Sequence, residues 1–220
     1  MFATDTENAR SNMIEQQIRP CEVIDERVLQ TLRNVPRENF VPEQYRNLAF
    51  ADIHVELNAH SVMMKPLQEG AMLQALDIQP GDRVLEIGTG SGFVTACLRE
   101  LGGEVTSYEI DAELSARAGE ALHALSMDEV MLRVGDIFEV ALEPGAYDAI
   151  AVTGSIPVAS EKLLGLLAKG GRMYVIEGED PAMCAKLITR SENDEIEEQK
   201  LLETSLPALQ NAPQAEKFSF

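Results

Sequence analysis

The chain predicts an α/β fold: five parallel strands, a C-terminal antiparallel hairpin, helices on both faces and a helical N-terminal segment. Three observations carry this. Short apolar runs alternate with helical stretches from Glu69 to Ile176, the rhythm of a parallel sheet wound by crossover helices. The cluster Gly88-Thr89-Gly90-Ser91-Gly92 follows the first apolar run at once, as a sharp strand-to-helix turn requires. After Gly178 the rhythm breaks, and two strand-like stretches flank the polar Ser191-Glu192-Asn193-Asp194, a hairpin pattern.

The elements follow in order. Residues 1–66 read as a helical or cover segment and 67–220 as the sheet-bearing domain, the two packed as one compact unit. Asp5 to Gln17 has a weak helical pattern. Asp25 caps a helix carrying Val28, Leu29, Leu32 and Val35, spaced for one buried face, and Pro36 stops it. From Phe40 to Pro66 there is little periodicity, and the segment reads as an ordered cover or loop. Glu69 to Leu76 is helical. Arg83 to Ile87 is the first strand, Phe93 to Leu101 a helix ended by Gly102-Gly103, and Glu104 to Tyr108 the second strand. Asp111 caps an alanine-rich helix to Leu125. Val130 to Val134, Tyr147 to Val152 and Arg172 to Ile176 are the remaining parallel strands, with a helix over Val158 to Ala168 stopped by Lys169-Gly170-Gly171. Met183 to Arg190 and Ile196 to Leu206 form the hairpin, a helix over Pro181 to Arg190 being the competing reading. The tail from Asn211 to Phe220 packs back onto the sheet or onto a partner.

Composition narrows the function. A chain of 220 residues with 45% hydrophobic side chains supports one well-packed domain. No apolar stretch approaches a membrane span, and the N-terminus lacks the pattern of a signal peptide, so the expected location is the cytoplasm. Cys21, Cys97 and Cys184 are far apart and His54, His60 and His123 are scattered, so no metal site is expected. A net charge of −19, from 37 acidic against 18 basic residues, disfavours a nucleic-acid partner.

The main chemical signal is Glu86-Ile87-Gly88-Thr89-Gly90-Ser91-Gly92. Small residues at the carboxyl end of a strand let a ligand approach the backbone near the switch point of the sheet. The spacing is GxGxG rather than the GxGxxG of a pyrophosphate cradle. A carboxylate at the strand tip, Glu86, repels phosphate but attracts a cation. Together these favour S-adenosylmethionine, with its ammonium and sulfonium centres, over a nicotinamide dinucleotide. Glu109, after the second strand, is placed to accept both ribose hydroxyls. Asp136, after the third, is placed to accept from the adenine amino group, with Ile110 and Ile137 sandwiching the ring. The competing reading of any one of these acids is a helix cap.

These motifs resemble the protein-L-isoaspartate O-methyltransferase family across most of the chain. The resemblance runs through Met13 to Arg19, Val35-Pro36-Arg37, Phe40-Val41-Pro42, Val84 to Gly92, Gly135-Asp136, Asp148 to Thr153 with Pro157, and Leu167 to Gly171. It implies a Rossmann-like class I methyltransferase sheet, S-adenosylmethionine as methyl donor, and an isoaspartyl-containing protein as acceptor, methylated on its free α-carboxylate as a step in repair. One segment departs. The family's Gly-Gln-Thr-Ile-Ser-Gln-Pro falls on His60-Ser61-Val62-Met63-Met64-Lys65-Pro66, so two hydroxyl positions become Val62 and Met64. This keeps open a small acceptor of another kind, or a cofactor-binding protein without transfer activity. The candidate catalytic residues are then Ser61, His60 and Thr153, with Lys65 as an anion anchor, Met63, Met64 and Met72 as pocket or core, and Ser155 facing the transfer region.

Overall fold

The computed structural model describes residues 2–214, with side chains from Asp5 onward. Helix α1 (Phe2–Met13) runs into a π turn at Ile14–Ile18 and a 3₁₀ turn at Arg19–Cys21. Helix α2 (Glu26–Asn34) starts at Asp25, whose carboxylate accepts from the N–H groups of Arg27 and Val28. Its buried Val28, Leu29 and Leu32 form the apolar face that the spacing predicts. A 3₁₀ turn at Arg37–Asn39 leads into the segment read as unpatterned cover, which contains another at Glu43–Leu48 and a small antiparallel ribbon of β1 (Val55–Glu56) and β2 (Val62–Met63). Strands of two residues are too short to show any alternation, which is why the sequence hides them.

Helix α3 (Pro66–Leu76) begins three residues earlier than read, with its proline in the first turn. Then come β3 (Arg83–Ile87), α4 (Phe93–Glu100), β4 (Glu104–Glu109), α5 (Ala112–Ala124), β5 (Met131–Val134), β6 (Tyr147–Ile156), α6 (Glu161–Leu166), β7 (Leu167–Glu179), β8 (Ala182–Arg190) and β9 (Ile196–Glu203). The seven-stranded sheet has the order β5-β4-β3-β6-β7-β8-β9. Its first five strands are parallel, and β8 and β9 add as an antiparallel meander. The competing helix over 181–190 is thus excluded.

Several boundaries differ, and β9 ends at Glu203, short of the Leu206 that the sequence predicts. The helix expected over Val158 to Ala168 is only α6, because Ser160 supplies its cap, accepting from the Leu163 N–H. The residues expected to stop it lie inside β7, where Leu167 pairs with Tyr147 before a register break. Strand β6 also runs beyond Val152, since Ser155 and Ile156 resume pairing with Ile176 and Glu177.

Alternation along the strands sorts the core. Val84, Ala149, Ala151, Tyr174 and Ile176 join α2, α3, α4 and the N-terminal turns in one apolar cluster. Leu85, Ile87, Ile150, Val152, Met173 and Val175 join α6 in a second, on the opposite face. Both faces of the parallel sheet are covered, as such sheets require.

The cover segment is rooted in the core by a buried ion pair. Arg37 Nε and Nη2 donate to the two Glu69 carboxylate oxygens at 2.8 and 3.0 Å, and both side chains are excluded from solvent. Burial raises the Glu69 pKa while Arg37 opposes the rise. The guanidinium also donates to the carbonyls of Ala49 and, at 2.8 Å, Met64, and lies over the Phe93 ring. One side chain therefore fixes α3, the loop after the Glu43–Leu48 turn and the backbone leading out of β2.

Candidate active site

Three adjoining small cavities open along the carboxyl ends of β3, β4, β5 and β6. The first is bounded by Gly88, Glu109, Thr153, His60 and Ser61, and the second by Glu109, Ile110, Asp136, Ile137 and Phe138. The third lies between the glycine turn, with Thr89, Gly90 and Ser91, and the apolar Leu57, Met63, Met64 and Phe93. Gly88 lines all three.

The glycine turn has the geometry that its composition predicts. Gly88 has φ +97°, and a Cβ there would lie 2.6 Å from Thr153 Oγ1, so only glycine fits. Thr89 is buried and its hydroxyl pairs with Ser107 Oγ. Gly92 does not line the cavities; it packs on Ala118 of α5 and serves helix contact.

Glu109 and Asp136 both line the second cavity. Glu109 is nearly buried, with Oε2 accepting from the Gly90 N–H at 2.8 Å and Oε1 from the Asp111 N–H at 3.0 Å. It therefore braces the glycine turn against the start of α5 as well as bounding the cavity. Asp136 Oδ1 accepts from the Phe138 N–H at 2.8 Å, closing a turn and not capping a helix, since none follows before β6, while Oδ2 accepts from Asn211 Nδ2 at 2.7 Å. Asp111 caps α5 as the sequence indicates.

Glu86 is different, and the expectation placed on it fails. Its side chain is fully buried and lines none of the three cavities. Strand parity is the reason: Glu86 shares the face of Val84, toward α4, and not that of the open end. There its Oε2 accepts from Ser107 Oγ at 2.6 Å and from the Thr95 hydroxyl. Burial pushes its pKa up to about 8, against the pull of the Ser107 and Thr95 hydroxyls. A carboxyl so placed is a buried, largely protonated strut under the glycine turn rather than a charge offered to a ligand.

The acceptor-side residues stand on two arms. His60 and Ser61 lie in the turn between β1 and β2, with His60 exposed. Thr153, on β6, spends its hydroxyl proton on the carbonyls of Ile87, at 2.8 Å, and Gly88. Lys65 precedes α3, its N–H bonded to Gln68 Oε1, and bounds none of these cavities. Met63 and Met64 line the third cavity, whereas Met72 is core. Ser155 is fully buried, its Oγ donating to the Leu206 carbonyl, so it anchors chain rather than facing a substrate.

What Ser155 anchors escaped the sequence reading. An extended strap over residues 204–211 bridges to it, with Ser155 N–H donating to Pro207 O and Leu209 N–H to Ser155 O. Leu206 to Gln210 form one wall of the first cavity. Gly154 permits this, since a Cβ there would lie 2.6 Å from the Leu209 side chain. The tail thus packs back onto the sheet as far as it is described; Phe218-Ser219-Phe220 lie outside the described residues.

The donor set can be tested against the implied group. Among the residues lining the three cavities are the carboxylates of Glu109 and Asp136, beside a Glu69 already paired with Arg37, and neither lysine nor arginine. Such a lining suits a cationic nucleoside and gives a pyrophosphate no counter-charge. It fits S-adenosylmethionine.

Comparison with known proteins decides the family. The family model for protein-L-isoaspartate(D-aspartate) O-methyltransferase matches residues 8–211. The chain belongs to this family. It is therefore a class I S-adenosylmethionine-dependent O-methyltransferase. A protein-L-isoaspartate O-methyltransferase of Rhodopseudomonas palustris is 39% identical over 196 residues, covering 88% of this chain and 80% of that one. One from Gloeobacter violaceus is 35% identical over 92% of this chain and 99% of its own length. In fold, the chain is similar to a Plasmodium falciparum protein assigned to the same enzyme class and crystallised with S-adenosyl-L-homocysteine. That likeness has a TM-score of 0.79 at 23% identity and covers 93% and 97% of the two chains. Among the described residues, no helix is long and apolar enough to cross a membrane.

Proposed function

We propose that this enzyme methylates the free carboxylate of L-isoaspartyl residues in damaged proteins, in the cytoplasm. The observation that carries the reading is the continuity of the cleft. Gly88 and Glu109 bound the cavities on both sides, so a donor seated against Asp136 and Glu109 meets an acceptor beside His60, Ser61 and Thr153. The names of the relatives that span nearly the whole chain favour isoaspartate over a small unrelated acceptor or a protein that only binds the cofactor.

In this reading Glu109 accepts the ribose hydroxyls, Asp136 accepts from the adenine amino group, and Ile110 and Ile137 flank the ring. Gly88, Thr89, Gly90 and Ser91 shape the turn along which the rest of the donor lies. Bound S-adenosylmethionine supplies an electrophilic methyl group on a positively charged sulfur. The acceptor carboxylate is ionised at neutral pH, so the chain need not remove a proton. An acceptor oxygen forms the new C–O bond as the C–S bond breaks, and the sulfur keeps the electron pair. The work of the protein is to orient and desolvate. His60 and Ser61 offer hydrogen-bond donors to the carboxylate in place of the two lost hydroxyls. Thr153 holds the Gly88 end of the turn, and Leu57, Met63, Met64 and Phe93 exclude water. Three cysteines without disulfides suit a reducing compartment.

The test is incubation of the purified protein with methyl-labelled S-adenosylmethionine and a peptide carrying one isoaspartyl residue, beside its aspartyl twin. A base-labile label on the isoaspartyl peptide alone is expected. If S-adenosylhomocysteine binds yet neither peptide is labelled, the acceptor assignment is wrong.

A further inference from the structure

We propose that Asn58 is a positioning residue for methyl transfer, a two-sided latch that seats the His60–Ser61 rim over the cleft. This rests on the reading above, which puts that rim beside the acceptor. One half of its carboxamide builds the turn: Oδ1 accepts from the N–H groups of His60 at 2.8 Å and Ser61 at 2.7 Å. The Leu57 and Asn58 N–H groups close the same turn on the Ser61 carbonyl. The other half leaves the cover segment altogether. Nδ2 donates to Asp111 Oδ2 at 2.9 Å, across 53 residues of sequence.

Asp111 is well chosen as the post. Its Oδ1 accepts from the N–H groups of Glu113 and Leu114, fixing the carboxylate at the start of α5, and its own N–H donates to Glu109. Glu109 in turn holds the Gly90 N–H. An unbroken chain of hydrogen bonds thus runs from the rim through Asn58, Asp111 and Glu109 to the glycine turn. Asparagine is needed because the turn wants an acceptor and Asp111 wants a donor, and a carboxamide presents both. Aspartate at 58 keeps the acceptor and sets two carboxylates against each other.

That chemistry supplies the experiment. Asn58→Asp and Asp111→Asn each break the latch while keeping the turn and the helix cap, since both residue types serve in either place. Together they restore it with polarity reversed, the introduced amide donating to the introduced carboxylate. Each single variant is expected to raise KM for the isoaspartyl peptide about tenfold, the scale of one hydrogen bond to a charged group. S-adenosylhomocysteine affinity should move less than about threefold, and the pair should return to within about threefold of the parent, a non-additive cycle. Hydrogen exchange at the His60 and Ser61 amides should quicken in both singles and slow again in the pair. An unchanged KM in Asn58→Asp, or a pair as impaired as the sum of its singles, overturns the proposal. Should the parent protein fail to methylate the peptide, the acceptor assignment falls, and amide exchange alone then decides the latch: quick in the singles and slow in the pair upholds it, any other pattern removes it.

Discussion

On the side of the cleft assigned to the donor, Glu109 and Asp136 stand at the ends of neighbouring parallel strands and are held by backbone N–H groups of the glycine turn, of the α5 cap residue and of the turn after β5. On the side assigned to the acceptor, His60, Ser61 and Leu209 stand on two irregular arms from distant parts of the chain. The first side is rigid because the sheet makes it so. The second is only as rigid as the few side chains that tie it down: Arg37 and Asn58 for the N-terminal arm, Ser155 and Asn211 for the strap. Gln68 joins the arms, accepting from Lys65 N–H and donating to Thr204 Oγ1 at 2.6 Å. A family can keep the donor side while changing acceptors, because the two sides draw on different elements.

The largest break in this comparison should come from the root of the N-terminal arm. Arg37→Ala leaves Glu69 buried without its partner and strips the Met64 and Ala49 carbonyls of a donor. Removing one member of a buried pair costs about 3–5 kcal/mol. Urea unfolding should show a loss of that size. A loss under about 1 kcal/mol would mean that the arm is anchored elsewhere.

Glu86 tests the donor side from beneath. Its folded pKa, pushed up to about 8, exceeds the roughly 4.3 of an unfolded glutamate. Between those values the folded chain keeps a proton that the unfolded chain releases, so this group's stabilisation is complete below about pH 4.3 and is lost as pH rises to about 8. Glu86→Gln carries no such proton. From about pH 5 to about pH 8.5 it should gain on the parent by about 2–4 kcal/mol, since each pH unit across that window removes roughly 1.4 kcal/mol from the parent. Parallel stability curves for the two proteins would show that the carboxyl is ionised in the fold.

How much of this the sequence discloses follows from the same contrast. The succession of parallel strands, the glycine turn and the positions of Glu109 and Asp136 are legible because the alternation of strands and helices marks each strand's carboxyl end. Glu86 is misplaced by a reading that counts residues to the strand tip without assigning the face, and the identities of Thr95 and Ser107, the hydroxyls that receive it, are spread over two other elements. The strap is illegible because Leu206 to Asn211 have no periodicity. Gly154, where a Cβ would strike Leu209, is their one trace, and it reads equally well as a turn residue. Asn58 leaves a fainter mark, an asparagine two residues before His60 that suggests a local turn but says nothing of Asp111.

On the donor side itself, Glu109→Ala should weaken S-adenosylhomocysteine binding by about 1–3 kcal/mol, the cost of removing a charged acceptor from two hydroxyls. Calorimetry measures it. Because Glu109 also braces the Gly90 and Asp111 N–H groups, Glu109→Gln sharpens the result. Its amide oxygen can hold one of those groups, so it should recover part of the loss if bracing matters. If Gln and Ala bind alike, the ribose contact is the whole effect.

The smallest effect sharpens the comparison most, since it falls where the two sides meet. Asn211 ties the strap to Asp136, the acid assigned to adenine, and has the left-handed φ of 60°. Asn211→Gly therefore removes the amide without straining the backbone. If the strap roofs the donor, freeing it should lower S-adenosylhomocysteine affinity by about 0.5–1 kcal/mol, one modest hydrogen bond, and quicken exchange at the Leu209 amide, whose partner is the Ser155 carbonyl. Tighter binding would reverse the reasoning. The amide of Asn211 would then be competing with the adenine amino group for one carboxylate oxygen, and the strap would be an arm that the donor must push aside.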